Sequence, residues 1–375
     1  MINYCKTCLS PDTRPGGEFV KGQCFPCYYC SSKKDINYPV KLKLLEYYFK
    51  KSRRGQRNKG DYDCIVGVSG GKDSTRQAHW VRDRLGLRPL VVCVAYPPRQ
   101  MTSIGADNLS NLISMGFDII VVTPSPVSSC ILSKESFFKF GNVSKASEKA
   151  LFSTVPRLAI DLGINTVFWG ESNALQVGEK TVLGQNEFDA NNLRRMNTLN
   201  AGGEKWVKDA VGISKASHYE YPDEIEFKKH KINIFYLGPA WDDWSNRNNS
   251  AYAALNGLTL RPGDENITGD ISNASMLDEE FTNINLMIKY YKFGFGRTTD
   301  IVNESIRLGE ITREEGIRLV EQYDGVCGDT IIDSYCKYIN ITREEFWSVV
   351  HSYTNKNLFE IIQGIDRPRR KYRIG

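Results

Sequence analysis

The stretch that most constrains the fold runs from Asp61 to Ser74 and reads DYDCIVGVSGGKDS. Cys64, Ile65, Val66, Gly67 and Val68 make a brief, β-branched run ended by glycines, the pattern of a buried parallel strand. From Ser74 to Leu85, the apolar residues Ala78, Val81 and Leu85 recur on one helical face. A strand, a Gly-Gly turn and a helix N-terminus make an anion cradle. Backbone N–H groups point inward, the helix dipole favours negative charge, and glycine permits close approach. Lys72 adds a point charge, Ser69 and Ser74 add hydroxyls, and Asp73 can hold Mg2+. Ser69, Gly70, Gly71, Lys72, Asp73 and Ser74 are therefore candidate ligands of a polyphosphate, with Lys72 and Asp73 as catalytic candidates. The G-x-x-x-x-G-K-[ST] spacing of the Walker loop is missing.

The chain around this stretch alternates strands with helices. Leu87–Tyr96, Phe117–Thr123, Asn165–Trp169 and Asn233–Leu237 read as further strands, and Asp107–Met115 and residues 143–162 as helices. Alternation of this kind predicts a doubly wound parallel α/β sheet with ligands at the carboxyl ends of its strands. Gly170–Asn173 follows a strand directly, so Glu171 is a candidate to share a magnesium ion with Asp73. Gly238–Trp244 also follows a strand, and its two tryptophans and two aspartates are candidates either to bind a sugar or base or simply to pack. Residues 174–232 are polar and weakly periodic and read as an insertion or lid.

Ahead of the sheet, Cys5-x-x-Cys8 and Cys24-x-x-Cys27 form two knuckles at close to zinc-ribbon spacing. Four thiolates around Zn2+ would fold a segment too small to hold its own core, and the closed site leaves no position for chemistry. Cys30 is a spare fifth candidate. Pro39–Lys51 is an amphipathic helix and Ser52–Gly60 a basic linker. From Phe281 onward the chain reads as helical, with Asn285–Phe293, Asp300–Leu308 and two TREE capping boxes at Thr312 and Thr342. Arg297 lies between the first two helices, where it is a candidate to bind phosphate or carboxylate and, with Lys72 and Asp73, a catalytic candidate. The resulting division is a zinc ribbon (1–38), an ATP-binding α/β domain (39–262) and a helical region (263–375).

A hydrophobic content of 41% with 25% charged residues fits a soluble globular chain. No apolar run approaches membrane-spanning length and no signal-peptide pattern opens the chain, so a cytoplasmic location is expected. The net charge of +5 is concentrated around Lys50–Lys59 and Arg367–Arg373.

The SGGKDS loop resembles that of the PP-loop ATP pyrophosphatases. With Tyr4–Pro15 (YCKTCLSPDTRP), Cys24-x-x-Cys27, Gly170-Glu171, and Lys292–Asp300 (KFGFGRTTD) followed by Ile311–Gly316, the chain resembles the N-acetyl sugar amidotransferases of the WbpG/PseA-like kind, over nearly its whole length. The loop is common to the superfamily; the PDTRP stretch and the KFGFGRTTD–TREEG pair are the specific parts. The resemblance implies conversion of an acetamido group on a nucleotide-linked sugar to acetamidino, in bacterial surface polysaccharide (LPS O-antigen) synthesis. ATP is cleaved at its α-phosphate to give an adenylyl imidate, ammonia adds, and AMP leaves. ATP, Mg2+ and Zn2+ are the implied cofactors. The four histidines and the turn around Cys327 make no credible glutaminase set, so a separate HisH/HisF-like glutaminase subunit is implied, with no membrane or nucleic-acid partner. A tRNA-thiolating enzyme using Cys130 and Cys327 is the alternative; a zinc-ribbon RNA-binding or scaffold protein is a third reading, which the intact Lys72/Asp73 loop argues against.

Overall fold

The computed structural model describes residues 2–32, 36–52, 62–169, 186–196 and 205–375. Five strands form one sheet: β1 (Cys64–Val68), β2 (Pro89–Val94), β3 (Asp118–Val122), β4 (Thr166–Trp169) and β5 (Asn233–Tyr236). Their spatial order is β3-β2-β1-β4-β5, and every pair is parallel. This is the doubly wound order, with its reversal point between β1 and β4. The loop after β1 therefore opens at the crevice that such sheets offer to ligands.

Alternation along the strands supplies both faces. Cys64, Val66, Val68, Val91 and Cys93 pack on one side, Ile65, Leu90, Val92 and Val167 on the other. Helices then follow in chain order: α1 (Phe25–Ser32), α2 (Tyr38–Ser52), α3 (Lys72–His79), α4 (Ser103–Ser114), α5 (Pro126–Phe140), α6 (Lys145–Leu162) and α7 (Asn246–Leu255). Leu45 and Phe49 of α2, Ala78 of α3 and Leu112 of α4 cover the first face. Val155 and Ala159 of α6 cover the second.

Several elements differ from the sequence expectation. Helix α3 starts at Lys72 rather than Ser74, and it runs into a π turn at Trp80–Arg84. Helix α4 starts at Ser103 rather than Asp107, because the Thr102 hydroxyl caps it by accepting from the Gly105 N–H at 2.9 Å. Helix α5 has no counterpart in the sequence reading. It leaves Val127, Ile131 and Phe138 exposed while burying Leu132 and Phe137, so it shows no clean apolar stripe.

The described parts of 174–232 cover the sheet. Phe188 and Leu193 are buried, and the Phe188 carbonyl accepts from the Tyr236 N–H at 2.8 Å. Trp206 and Val207 pack with Leu132 of α5 and Ala146 of α6.

The C-terminal part consists of α8 (Thr282–Phe293), α9 (Arg297–Arg307), α10 (Arg313–Tyr323), α11 (Asp329–Ile339) and α12 (Arg343–Tyr353). Both capping boxes form, Thr312 with Glu315 and Thr342 with Glu345. Helix α9 begins three residues before its expected start, so Arg297 is its first residue and the turn is Gly294-Phe295-Gly296. Phe281, Met287, Ile332, Tyr335, Phe346 and Trp347 make a separate core here. Much of the basic tail is paired: Arg367 with Asp329, Arg369 with Glu360 and Arg370 with Glu321. Among the described residues, no helix is long and apolar enough to cross a membrane.

Candidate active site

Val68 ends β1, and the next six residues turn into α3. Gly70 makes the turn at φ +82°, a left-handed conformation that suits glycine. Gly71 is the N-cap and has no side chain to accept from the first-turn N–H groups, which leaves them for a ligand. The Ser74 hydroxyl accepts from the Ser69 N–H at 3.3 Å and donates to the Gly71 carbonyl at 3.2 Å, fixing the curl of the loop.

Lys72 is only 7% exposed, and its Nζ lies 2.9 Å from Asp73 Oδ2. The other Asp73 oxygen accepts from Asn249 Nδ2 of α7 at 2.6 Å. Asn249 in turn accepts from Arg76 at 2.7 Å, and Arg76 reaches Asp243 at 2.6 Å. The Arg76 guanidinium lies 5.3 Å from both the Trp241 and Tyr252 rings. Asp73 is thus oriented by a chain of partners from Gly238–Trp244 and α7. Asp243 and Trp241 serve packing and positioning here, while Trp244 faces the cleft.

The loop opens into a cleft of about 440 Å³, within the range of small-molecule sites. Its walls come from three parts of the chain: the SGGKDS loop with β2 and α6, the N-terminal ribbon, and the segment 274–307. Arg297, Asp278, Asp300 and Glu304 line it. Arg297 donates to the Ser275 hydroxyl, and its buried Nε has no partner among the described residues. Glu304 accepts from the Asn246 N–H. Burial pushes its carboxyl up, and the charge of Asp73 adds to this. Glu171 lies outside the described residues.

The two motif stretches that most distinguish this chain touch each other. Thr13 of the PDTRP stretch donates to the Phe293 carbonyl, and Arg14 pairs with Asp300. Lys289 reaches the same carboxylate at 2.5 Å. Both cations also sit over the Phe295 ring, at 4.2 and 4.6 Å. The Leu9 N–H donates to Asn303 at 2.7 Å, and Arg313 of the first TREE box donates to the Cys5 and Cys8 carbonyls. The ribbon is therefore docked on the C-terminal helices.

In the ribbon, the sulfurs of Cys5, Cys8, Cys24 and Cys27 all lie within 4.8 Å of one another, and all four residues are buried. Three backbone amides, of Thr7, Ser10 and Cys24, donate to these sulfurs at 3.2–3.4 Å. This donor set fits a tetrahedral thiophilic metal. Cys30, the spare fifth candidate, stands outside it.

Cys130 and Cys327 do not line the cleft. Cys327 is buried in the C-terminal core, where burial pushes its thiol up to about 12. Cys130 packs against the same core and is also raised by burial. Neither has the thiolate character of a sulfur carrier; Cys327 is buried, and the half-buried Cys130 donates to the Tyr338 carbonyl at 3.0 Å.

Sequence reasoning missed Asn249, Asp278 and Glu304. All three come from outside the loop and reach it through tertiary packing alone. Arg14 and Asp300 had a signal, since both stand in the stretches singled out by motif.

The parallel sheet, its reversal-point loop and the SGGKDS sequence are those of a PP-loop fold. Residues 276–370 match the family model described as "LPS biosynthesis protein WbpG-like, C-terminal domain". That C-terminal stretch is WbpG-like by this match, and it is the one that supplies Arg297, Asp300 and Glu304 to the cleft. No curated protein matches the chain. Among solved structures, the NMN synthetase of Francisella tularensis is 14% identical, covering 61% of this chain and 100% of its own, with a TM-score of 0.30. The NH3-dependent NAD synthetase of Campylobacter jejuni, in complex with nitrate, is 12% identical over 64% of this chain and 92% of its own, at 0.32. The U34-tRNA thiolase NcsA of Methanococcus maripaludis, with its [4Fe-4S] cluster, is 11% identical over 90% of this chain and 95% of its own, at 0.27. Likenesses this distant carry no weight for function, and the fold rests on the strand order itself.

Proposed function

We propose that the chain is an ATP-dependent amidotransferase that converts an acetamido group of a nucleotide-linked sugar to acetamidino, in bacterial surface polysaccharide synthesis in the cytoplasm. The observation that carries this reading is the shared cleft. One wall is the SGGKDS loop and the facing wall belongs to the stretch matched as WbpG-like.

An amide carbonyl is a poor electrophile because oxide cannot leave. In the proposed reaction the amide oxygen attacks the α-phosphate of ATP and pyrophosphate departs. The uncapped N–H groups after Gly71, together with Lys72, stabilise the charge that develops on pyrophosphate. Magnesium, when bound, neutralises phosphate charge; Asp73 and Glu171 would hold it. Ammonia then replaces AMP at the imidate carbon. Arg297, which lines the cleft, orients either ATP or the sugar nucleotide. The ribbon's four cysteines hold a structural Zn2+ in this reading, and a separate HisH/HisF-like glutaminase supplies ammonia.

The test is incubation with ATP, ammonium and a panel of UDP- and CMP-linked diacetamido sugars. The expected result is AMP and pyrophosphate, with one sugar changed in mass by replacement of O with NH. Release of ADP and phosphate, or glutamine use by the isolated chain, would overturn it. Sulfur transfer to tRNA would move the protein to the thiolating class.

A further inference from the structure

Five acidic residues line the cleft: Glu18, Asp73, Asp278, Asp300 and Glu304. Asp73 is held by Lys72 and Asn249, Asp300 by Arg14 and Lys289, and Glu304 by the Asn246 amide. Glu18 also has a partner. Asp278 differs from them. Its carboxylate is met by its own backbone amide and by no other side chain among the described residues.

Its backbone, in contrast, is tightly held. The Asp278 carbonyl accepts from the Thr102 N–H at 3.2 Å, and the Leu277 carbonyl accepts from the Thr102 hydroxyl. Arg261 donates to the Met276 carbonyl at 2.6 Å. Gly105 of α4 packs so closely that a Cβ there would stand 2.6 Å from the Asp278 Cα. Met276 sits at φ +49°, a strained conformation for a residue with a side chain. A carboxylate free at its tip and fixed at its root, in a ligand cleft, is the arrangement of a positioned proton acceptor.

We infer that Asp278 is the general base that deprotonates the nitrogen nucleophile in the second half of the reaction. This rests on the amidotransferase reading given above. Ammonia adds its lone pair to the carbon of the protonated adenylyl imidate, forming a C–N bond while the C=N π pair moves to the sugar nitrogen. Asp278 takes one proton from the new ammonium centre. The C–O bond then breaks, AMP leaves with the bonding pair, and the product is the acetamidinium ion plus protonated Asp278, which returns its proton to solvent.

The surroundings suit that task. Burial pushes the Asp278 carboxyl up to about 6, against the opposing pull of its own amide and of Arg261. Glu279 beside it in the chain, and Tyr96 and Cys93 from β2 and its exit, all feel its charge. None of these is a cation that would hold it ionised at low pH. The base is therefore ionised at neutral pH yet strong enough to accept a proton.

The experiment separates the two half-reactions in the full chain. Sugar-dependent exchange of labelled pyrophosphate into ATP reports adenylylation, and product formation with ammonium reports amidation. Asp278→Asn should keep exchange within about twofold and lower amidation about 10²–10⁴-fold. Asp278→Glu should recover part of the loss. At fixed free NH3, parent amidation should rise through a pH near the carboxyl's value of about 6, and Asp278→Asn should lack that step. Unchanged amidation in Asp278→Asn overturns the assignment alone, as does loss of exchange, which would give Asp278 a role in adenylylation. No exchange by the parent with any sugar overturns the amidotransferase reading itself.

Discussion

Replacing Asp300 by Asn tests how the ribbon is held in place. Asp300 receives Arg14 from the ribbon and Lys289 from α8. Hydrogen bonds to charged groups contribute about 1.5–3 kcal/mol each, and removing one partner of a buried pair costs about 3–5 kcal/mol. The Asn side chain keeps one acceptor, and Phe295 still offers its ring to both cations. The expected cost to docking is therefore about 3 kcal/mol, or roughly a hundredfold in the docking equilibrium. One amide reads this directly. The Leu9 N–H donates across the junction to Asn303, while the Cys5 N–H donates to Ser10 inside the ribbon. Hydrogen exchange at Leu9 should speed up about a hundredfold in Asp300→Asn, and exchange at Cys5 should not. Burial alone would raise the Asp300 carboxyl, but Lys289 and Arg14 hold it well below the usual carboxylate range. A depressed folded value places the stabilisation above the unfolded pKa of about 4, with loss as pH falls further. The difference between parent and variant should thus be full from pH 5 to 8 and shrink only below about 4. An unchanged Leu9 rate, or equal acceleration at both amides, would refute the reasoning.

Other substitutions probe the remaining parts. Cys8→Ser should lose the single metal ion per chain expected of a four-thiolate site and lower solubility, whereas Cys30→Ser should retain it, as read by metal analysis of purified protein. Asp73→Ala should abolish ATP cleavage to AMP and pyrophosphate in a nucleotide-product assay; residual turnover above one percent would deny Asp73 its role. Gly105→Ala drives a Cβ against the Asp278 backbone at 2.6 Å. It should cost about 1–3 kcal/mol in denaturant unfolding and slow amidation more than pyrophosphate exchange.

The loop and the sheet were readable because each rests on local pattern. Cys64–Val68 is short, β-branched and ended by glycines, and the strand–helix alternation fixes the parallel class. Knuckle spacing narrowed the ribbon to five cysteines, and only the folded arrangement sets Cys30 apart from the cluster of Cys5, Cys8, Cys24 and Cys27. Helix α5 was not, since its exposed Val127 and Phe138 blur any stripe. Arg297 was found by residue type but misplaced in a loop, because the glycines beside it suggest a longer turn than the one that forms. Asn249 and Asp278 had no local signal. They lie 176 residues beyond Asp73 and within an irregular segment, respectively, and only packing brings them to the cleft.

The junction between ribbon and C-terminal helices has a consequence for how the molecule comes into being. The Leu9–Asn303, Arg14–Asp300 and Arg313–Cys8 contacts join residues 294, 286 and 305 positions apart. In chain order the four clustered cysteines, Cys5, Cys8, Cys24 and Cys27, come first among these parts, with β1 and its loop soon after. The segment 274–307 that walls the cleft is made long after them. Domains fold as they are synthesised, but contacts of such separation form late and slowly. The loop after β1 therefore precedes the chamber it opens into, and the cleft is complete only when residues 9–14 and 300–313 have met.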